Sequence, residues 1–138
     1  MSDLERFGVS MDGKLLREFD RLARRRGYTN RSELIRDLAR AELVKDEWDS
    51  TDKEVVGVLS FVYDHTVMEA ADRVLETEHR EFSEIVSSLH VHLDRKHCLE
   101  VLVMKGGPKH IREVASKILS LRGVKHGQLV ETTTAKEV

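Results

Sequence analysis

At 138 residues the chain has room for one ordinary domain or two small ones, and 40% apolar with 35% charged residues describes a globular protein. A net charge of −2 excludes a uniformly basic nucleic-acid binder, so any such surface must be local. The single cysteine excludes an intramolecular disulfide and suits a reducing compartment. No apolar run approaches the ~18–20 residues needed to span a bilayer, and Met1-Ser2-Asp3-Leu4-Glu5 lacks a signal-peptide core, so the cytoplasm is the expected location.

Residues 1–48 read as a small arm. Arg6-Phe7-Gly8-Val9-Ser10-Met11 alternates, with Phe7, Val9 and Met11 on one face of a strand and Arg6, Gly8 and Ser10 on the other. Asp12 caps a helix running to about Arg25, with Leu15, Leu16, Phe19, Leu22 and Ala23 at helical spacing. Arg24-Arg25-Arg26-Gly27 ends it, placing cations at the negative helix terminus and glycine beyond. Asn30 with Glu33 resembles a capping box for a second helix, whose apolar face is Leu34, Ile35, Leu38, Ala39, Ala41 and Leu43. A strand and two helices of this length cannot bury enough surface alone, and the strand has no partner. Two copies pairing their strands antiparallel would solve both problems and form a ribbon that fits a DNA major groove. Arg6, Gly8 and Ser10 would face the bases. The start of the second helix, with Asn30, Arg31, Ser32 and Arg36, would grip a phosphate. Residues 1–40 hold 10 Lys and Arg against 7 Asp and Glu, a local excess of +3. The plainer reading of these arginines is solvated helix surface on a dimerisation module.

Trp48 to Lys53 breaks the pattern, and a linker is expected at residues 49–53. Residues 54–138 then read β-α-β-β-α-β: a strand over Glu54 to Tyr63, a helix from Val67 to about Leu75, and a hairpin around His90 to Cys98 running on to Met104. A helix after Pro108 and a strand over Val124 to Thr132 complete the order. That order is the ferredoxin-like split, four antiparallel strands with two helices on one face, within an α+β chain. The uncovered sheet face argues for self-association.

The chemistry concentrates in the hairpin. His90 and His92 are two apart and share a strand face; Leu89, Val91 and Leu93 share the other and can enter a core. The turn Asp94-Arg95-Lys96 brings Cys98 onto the neighbouring strand. A lone cysteine is usually a small buried hydrophobe, and a strand histidine is usually surface. Two imidazoles and the sole thiol converging on one hairpin instead make a three-ligand metal site, suited to zinc, copper or nickel. His79, in Glu76-Thr77-Glu78-His79-Arg80 at the end of the preceding helix, is the candidate fourth ligand, from its own chain or another. His65, His97, His110 and His126 compete for that role; His97 should face away from Cys98, and the last two read as surface.

Together these residues resemble the NikR-type nickel-responsive regulators. The resemblance is densest in Arg25 to Asp37, in Ser88-Leu89-His90-Val91-His92, in Cys98-Leu99-Glu100 and in Gly123-Val124-Lys125-His126-Gly127. It implies a ribbon-helix-helix arm joined to an ACT-like metal-binding domain, in a homotetramer that is a dimer of dimers. It further implies one Ni(II) per chain in planar coordination at subunit interfaces, held by His90, His92 and Cys98 of one chain and His79 of the facing chain. Tyr63 and Glu100 would support these ligands from behind. Glu33 and Asp37 match positions holding a second, weaker cation, such as potassium. The implied function is a repressor that binds double-stranded operator DNA, and no enzyme. Two departures stand out: family members read DNA with a strand resembling Arg-x-Thr-x-Thr where this chain has Arg6-x-Gly8-x-Ser10, and Thr66-Val67-Met68-Glu69 replaces basic residues found after the first core strand in some members. The alternatives are a ribbon-helix-helix regulator sensing cobalt, copper or an amino acid, and a nickel store or chaperone.

Overall fold

The computed structural model describes residues 3–50, 52–67, 70–80, 84–136 and 138, apart from the side chains of residues 70, 71, 75 and 79. The chain divides into two compact units, residues 1–41 and 42–138.

The first unit holds helix α1 (Gly13–Arg25) and the first turns of α2 (Arg31–Ser50). Asp12 caps α1 as its sequence predicts: its carboxylate accepts the backbone N–H groups of Lys14 and Leu15. Gly27 follows the helix at φ +80°, the left-handed region that glycine enters without steric cost. Asn30 caps α2 by accepting the N–H of Glu33 at 2.9 Å. The expected reciprocal bond is absent; the Glu33 carboxylate takes the Thr29 hydroxyl instead. Ala23 and Leu34 are buried, whereas Leu15 and Leu38 stay exposed. Residues 3–12 carry no strand. The sequence alternates, but a strand needs a hydrogen-bonded neighbour, and one chain does not supply it. Phe7 and Val9 are consequently 76% and 59% exposed, beside a groove of about 760 Å³ also lined by Phe19 and Ile35.

The second unit is a four-stranded antiparallel sheet of β1 (Val55–Asp64), β2 (Ile85–His92), β3 (His97–Gly106) and β4 (Val124–Thr132), in the order β2-β3-β1-β4. Helices α3 (Ala70–Arg80) and α4 (Pro108–Leu119) complete it. Pro108 opens α4 at its first position, as expected. Ile111, Val114, Ala115 and Ile118 of α4 pack with Leu59, Phe61, Leu102 and Met104 of the sheet in one core. Alternate residues of β1 and β3 are buried, so one sheet face meets the helices and the other lies half open. Gly127 marks the tightest approach: a Cβ there would lie 2.1 Å from Leu119 and 2.9 Å from Phe61.

Three expectations are corrected. The helix of α2 continues through Ser50, so residues 49–53 are no simple linker, and the units part within α2 instead. The polar run hid an anchor: Trp48 is buried, and its indole N–H donates to the Thr132 carbonyl at 2.8 Å. Around it, Arg112 bonds Asp49 and Glu131 and lies 5.5 Å from the indole centroid. The first core helix is described from Ala70 to Arg80, beyond the expected end at Leu75, which puts His79 inside it. Leu89, Val91 and Leu93 do not enter the core of their own chain. They lie on the helix-free face, 59%, 37% and 52% exposed, because the helices cover the opposite face.

Candidate metal centre

The hairpin brings its three candidate ligands together. Leu93 N–H bonds the His97 carbonyl to close it, and Asp94 holds the turn by accepting the N–H groups of Lys96 and His97. Bonding to the His97 side chain first, and then to those N–H groups, lowers the Asp94 carboxyl to about 2. In the resulting register His92 lies opposite Cys98, and His90 opposite Glu100. One ligand atom from each of His90, His92 and Cys98 lies within 4.8 Å of the others. Cys98 Sγ is 3.5 Å from His92 Nδ1, and the two imidazole centroids are 5.0 Å apart. Cys98 is buried while both histidines are partly open to solvent, so an ion would enter from the imidazole side. Among the described residues this is the one such group of three or more His, Cys, Asp or Glu.

Behind the trio lies a layer that fixes it. His90 Nδ1 is 3.0 Å from Glu100 Oε1, the geometry in which the ring N–H donates and the carboxylate accepts. That contact leaves Nε2 as the metal-binding nitrogen. The Tyr63 hydroxyl donates to the same Oε1 at 3.2 Å. Burial first, and then the Glu100 charge, raise the Tyr63 phenol far above its ordinary range, so it stays a donor. Glu100 is 7% exposed. The donor set of two imidazoles, one thiol and an oriented carboxylate fits a borderline divalent transition metal.

Glu78 belongs to this layer, and the sequence reading passed over it. Its half-buried carboxyl lies near that of Glu100. Glu78 Oε1 and Glu100 Oε2 are both buried and meet no hydrogen-bond partner among the described residues. Leaving such an oxygen without a donor costs roughly 1–3 kcal/mol. Burial, and then the contact with Glu100, raise the Glu78 carboxyl well above the carboxylate range. The available signal was helical spacing: Val74 is buried, and Glu78, four residues on, shares its face.

His79 has its backbone in α3, but its side chain lies outside the described residues. The competing histidines are elsewhere. His65 Nε2 meets the Arg95 carbonyl at 2.5 Å, His97 pairs with Asp94, and His110 lies near Glu84 and Glu113. His126 is exposed. Glu33 and Asp37 gather no third donor among the described residues; Asp37 takes the Tyr28 hydroxyl and Arg40.

In the first unit Arg6, Gly8 and Ser10 are exposed, as are Asn30, Ser32 and Arg36. Arg31 is already engaged: its guanidinium makes two bonds to Asp20, at 2.9 and 3.0 Å. It therefore reads as a brace between α1 and α2 before it is a phosphate contact.

Comparison with known proteins matches both units. The family described as NikR C terminal nickel binding domain covers residues 56–132, and that described as ribbon-helix-helix protein, copG family, covers residues 5–46. A protein of Geobacter metallireducens, provisionally named a nickel-responsive regulator, is 48% identical over 138 residues, spanning 100% of this chain and 99% of its own. One of Thermococcus onnurineus, with the same provisional name, is 50% identical over 135 residues and 98% of each chain. Among solved structures, an uncharacterized protein of Thermotoga maritima aligns at TM-score 0.52 and 19% identity, over 56% of this chain and 96% of its own; it shares the fold. No helix among the described residues is long and apolar enough to cross a membrane.

Proposed function

This chain belongs to the NikR-type family of nickel-responsive regulators, which are transcription regulators and not enzymes, and on that premise we propose that it is a cytoplasmic, Ni(II)-dependent DNA-binding repressor of nickel-uptake genes. The observation that carries this is the convergence of His90, His92 and Cys98 within 4.8 Å, with Glu100 oriented behind them. His90, His92 and Cys98, joined by His79 of a facing subunit, would hold one Ni(II) per chain. Imidazole nitrogens and a thiolate sulfur would suit a borderline divalent ion such as nickel. Because Cys98 binds as thiolate, loading releases a proton and weakens at low pH.

The DNA arm rests on exposed alternation. Phe7 and Val9 pair with the same segment of a second chain, leaving Arg6, Gly8 and Ser10 toward the bases. The open sheet face, with Leu89, Val91 and Leu93, supports assembly of two such dimers into a homotetramer. A weaker cation at Glu33 and Asp37 belongs to the same reading. Nickel promotes operator binding by favouring the DNA-competent arrangement, which requires that it bind that arrangement more tightly than the alternative.

The test is an anaerobic titration of metal-free protein with Ni(II), followed by absorption and by selection from a random duplex pool with and without nickel. Thiolate-to-nickel bands saturating at one ion per chain, with a sequence enriched only in nickel, are the expected result. Bands without enrichment would make the protein a nickel store or chaperone. No bands would remove Cys98 from the site.

A further inference from the structure

We propose that Asp20 is a positioning residue of the DNA arm: its carboxylate holds the Arg31 guanidinium by one edge and so presents the other edge to a DNA phosphate. This rests on reading the first unit as a DNA-binding arm. Three observations carry it. Arg31 Nε donates to Asp20 Oδ1 at 2.9 Å and Arg31 Nη2 donates to Oδ2 at 3.0 Å, so the two planar groups meet fork on fork. The Nη1 edge is left with no partner among the described residues, on a side chain that is 57% exposed. Arg31 also lines the groove beside Arg6, Phe7, Val9 and Ser10; among the described residues Arg6, Arg31 and Arg36 line it against one acid, Glu5.

The pair crosses elements: Asp20 stands on α1, and Arg31 is the first residue of α2. An ion pair this open to solvent adds little to stability, whereas a two-bond fork fixes direction. A free arginine gives up its rotamers when it meets a phosphate; one already held by a carboxylate has lost them beforehand. A bystander acid has the opposite effect. Asp20 carries negative charge beside a surface that meets a polyanion, and by charge alone its removal should tighten DNA binding. The sign of the change therefore separates the two roles.

The experiment uses the full-length protein with Ni(II) present, its Asp20→Asn and Arg31→Ala variants, and the variant carrying both. Asparagine keeps the shape of the side chain but offers one acceptor oxygen instead of two. The probe is a mixed-sequence DNA duplex, because a phosphate contact carries no base preference. Affinity is measured by fluorescence anisotropy across a salt series, and helix content by far-ultraviolet circular dichroism at the assay temperature. The expected result for Asp20→Asn is binding about 2–10-fold weaker than the parent's, the cost of ordering one long side chain, despite the lost negative charge. Arg31→Ala should lower the slope of log affinity against log salt by about 1 for each copy in contact. In the Arg31→Ala background Asp20→Asn should weaken binding no further, because nothing remains to be positioned. An Asp20→Asn variant that binds as tightly as the parent, or more tightly, would overturn the proposal, as would an equal loss in the Arg31→Ala background. An unchanged salt slope in Arg31→Ala would overturn it by removing Arg31 from the phosphate. An Asp20→Asn variant that loses helix content would assign Asp20 to folding of the arm instead. A parent that binds no duplex would overturn the DNA reading and the positioning role with it.

Discussion

Replacing Trp48 by alanine should unfasten the end of α2 from the sheet and α4 of its own unit. The indole is 3% exposed and packs in the core with Val55, Leu59 and Ile111. An indole buries roughly 150–250 Å², which at ~25 cal/mol per Å² corresponds to about 4–6 kcal/mol before relaxation. Its N–H bond to Thr132 adds about 1 kcal/mol net. Arg112 is 41% exposed over the ring, so that cation contributes roughly 0.5–1 kcal/mol. The alanine retains part of this burial and the surroundings collapse in part, leaving an expected loss of about 3–5 kcal/mol. Trp48→Phe keeps most of the apolar volume and removes the donor, for an expected loss of ~1–2 kcal/mol. Urea unfolding of metal-free protein, followed by far-ultraviolet circular dichroism at fixed protein concentration, measures both. A loss below about 1 kcal/mol in the alanine variant would refute the reasoning, because a buried indole cannot be removed that cheaply from a packed site.

Cys98→Ser should abolish the thiolate-to-nickel absorption and weaken Ni(II) binding by more than tenfold, the lower bound set by the smaller loss expected for a group merely behind the ligands; equilibrium dialysis with unchanged affinity would exclude the thiol as a ligand. Gly127→Ala places a methyl 2.1 Å from Leu119 Cδ2 and 2.9 Å from the Ser60 carbonyl, so overpacking should cost about 1–3 kcal/mol; a thermal midpoint equal to the parent's would show that α4 yields freely. Asp94 should stay ionised far into acid. Its folded carboxyl is lowered from 3.8 to about 2, so its contribution to stability is present above the unfolded value and is lost only as pH falls through the folded one. The Asp94 carboxyl carbon resonance should stay nearly flat between pH 5 and 3; a midpoint near 3.8 would show that the turn does not hold the charge.

The parts of the fold that were legible in the sequence are those set by local period. His90 and His92 announce one face because strand side chains alternate, and Asp94 announces the turn that returns Cys98 beside them. The caps at Asp12 and Asn30 follow from side chains that reach their own backbone. What escaped depends on distant partners. Alternation separates Leu89 and Val91 from the histidines but does not say which face the helices take. Glu78 reads as surface until a second carboxyl is found against it. Arg31 and Asp20 lie on different helices, and nothing local pairs them. Trp48 was the misread signal: tryptophan is highly buried on average, so in a polar stretch it points to a docking site, here the one closed by the Thr132 carbonyl.

The two faces of β2 make it a text that can be read in only one frame. Its odd positions carry Leu89 and Val91 to the open side, and its even positions carry the imidazoles toward Cys98 and Glu100. Inserting or deleting a single residue between His90 and the turn would exchange the two messages downstream, turning the nearer imidazole outward and a leucine toward the thiol. Lineages that keep this centre can therefore vary its letters but not its spacing. Length changes must arrive in pairs or be absorbed by a bulge, as already happens between Ile85 and Ser87, where the register shifts before the first ligand is reached.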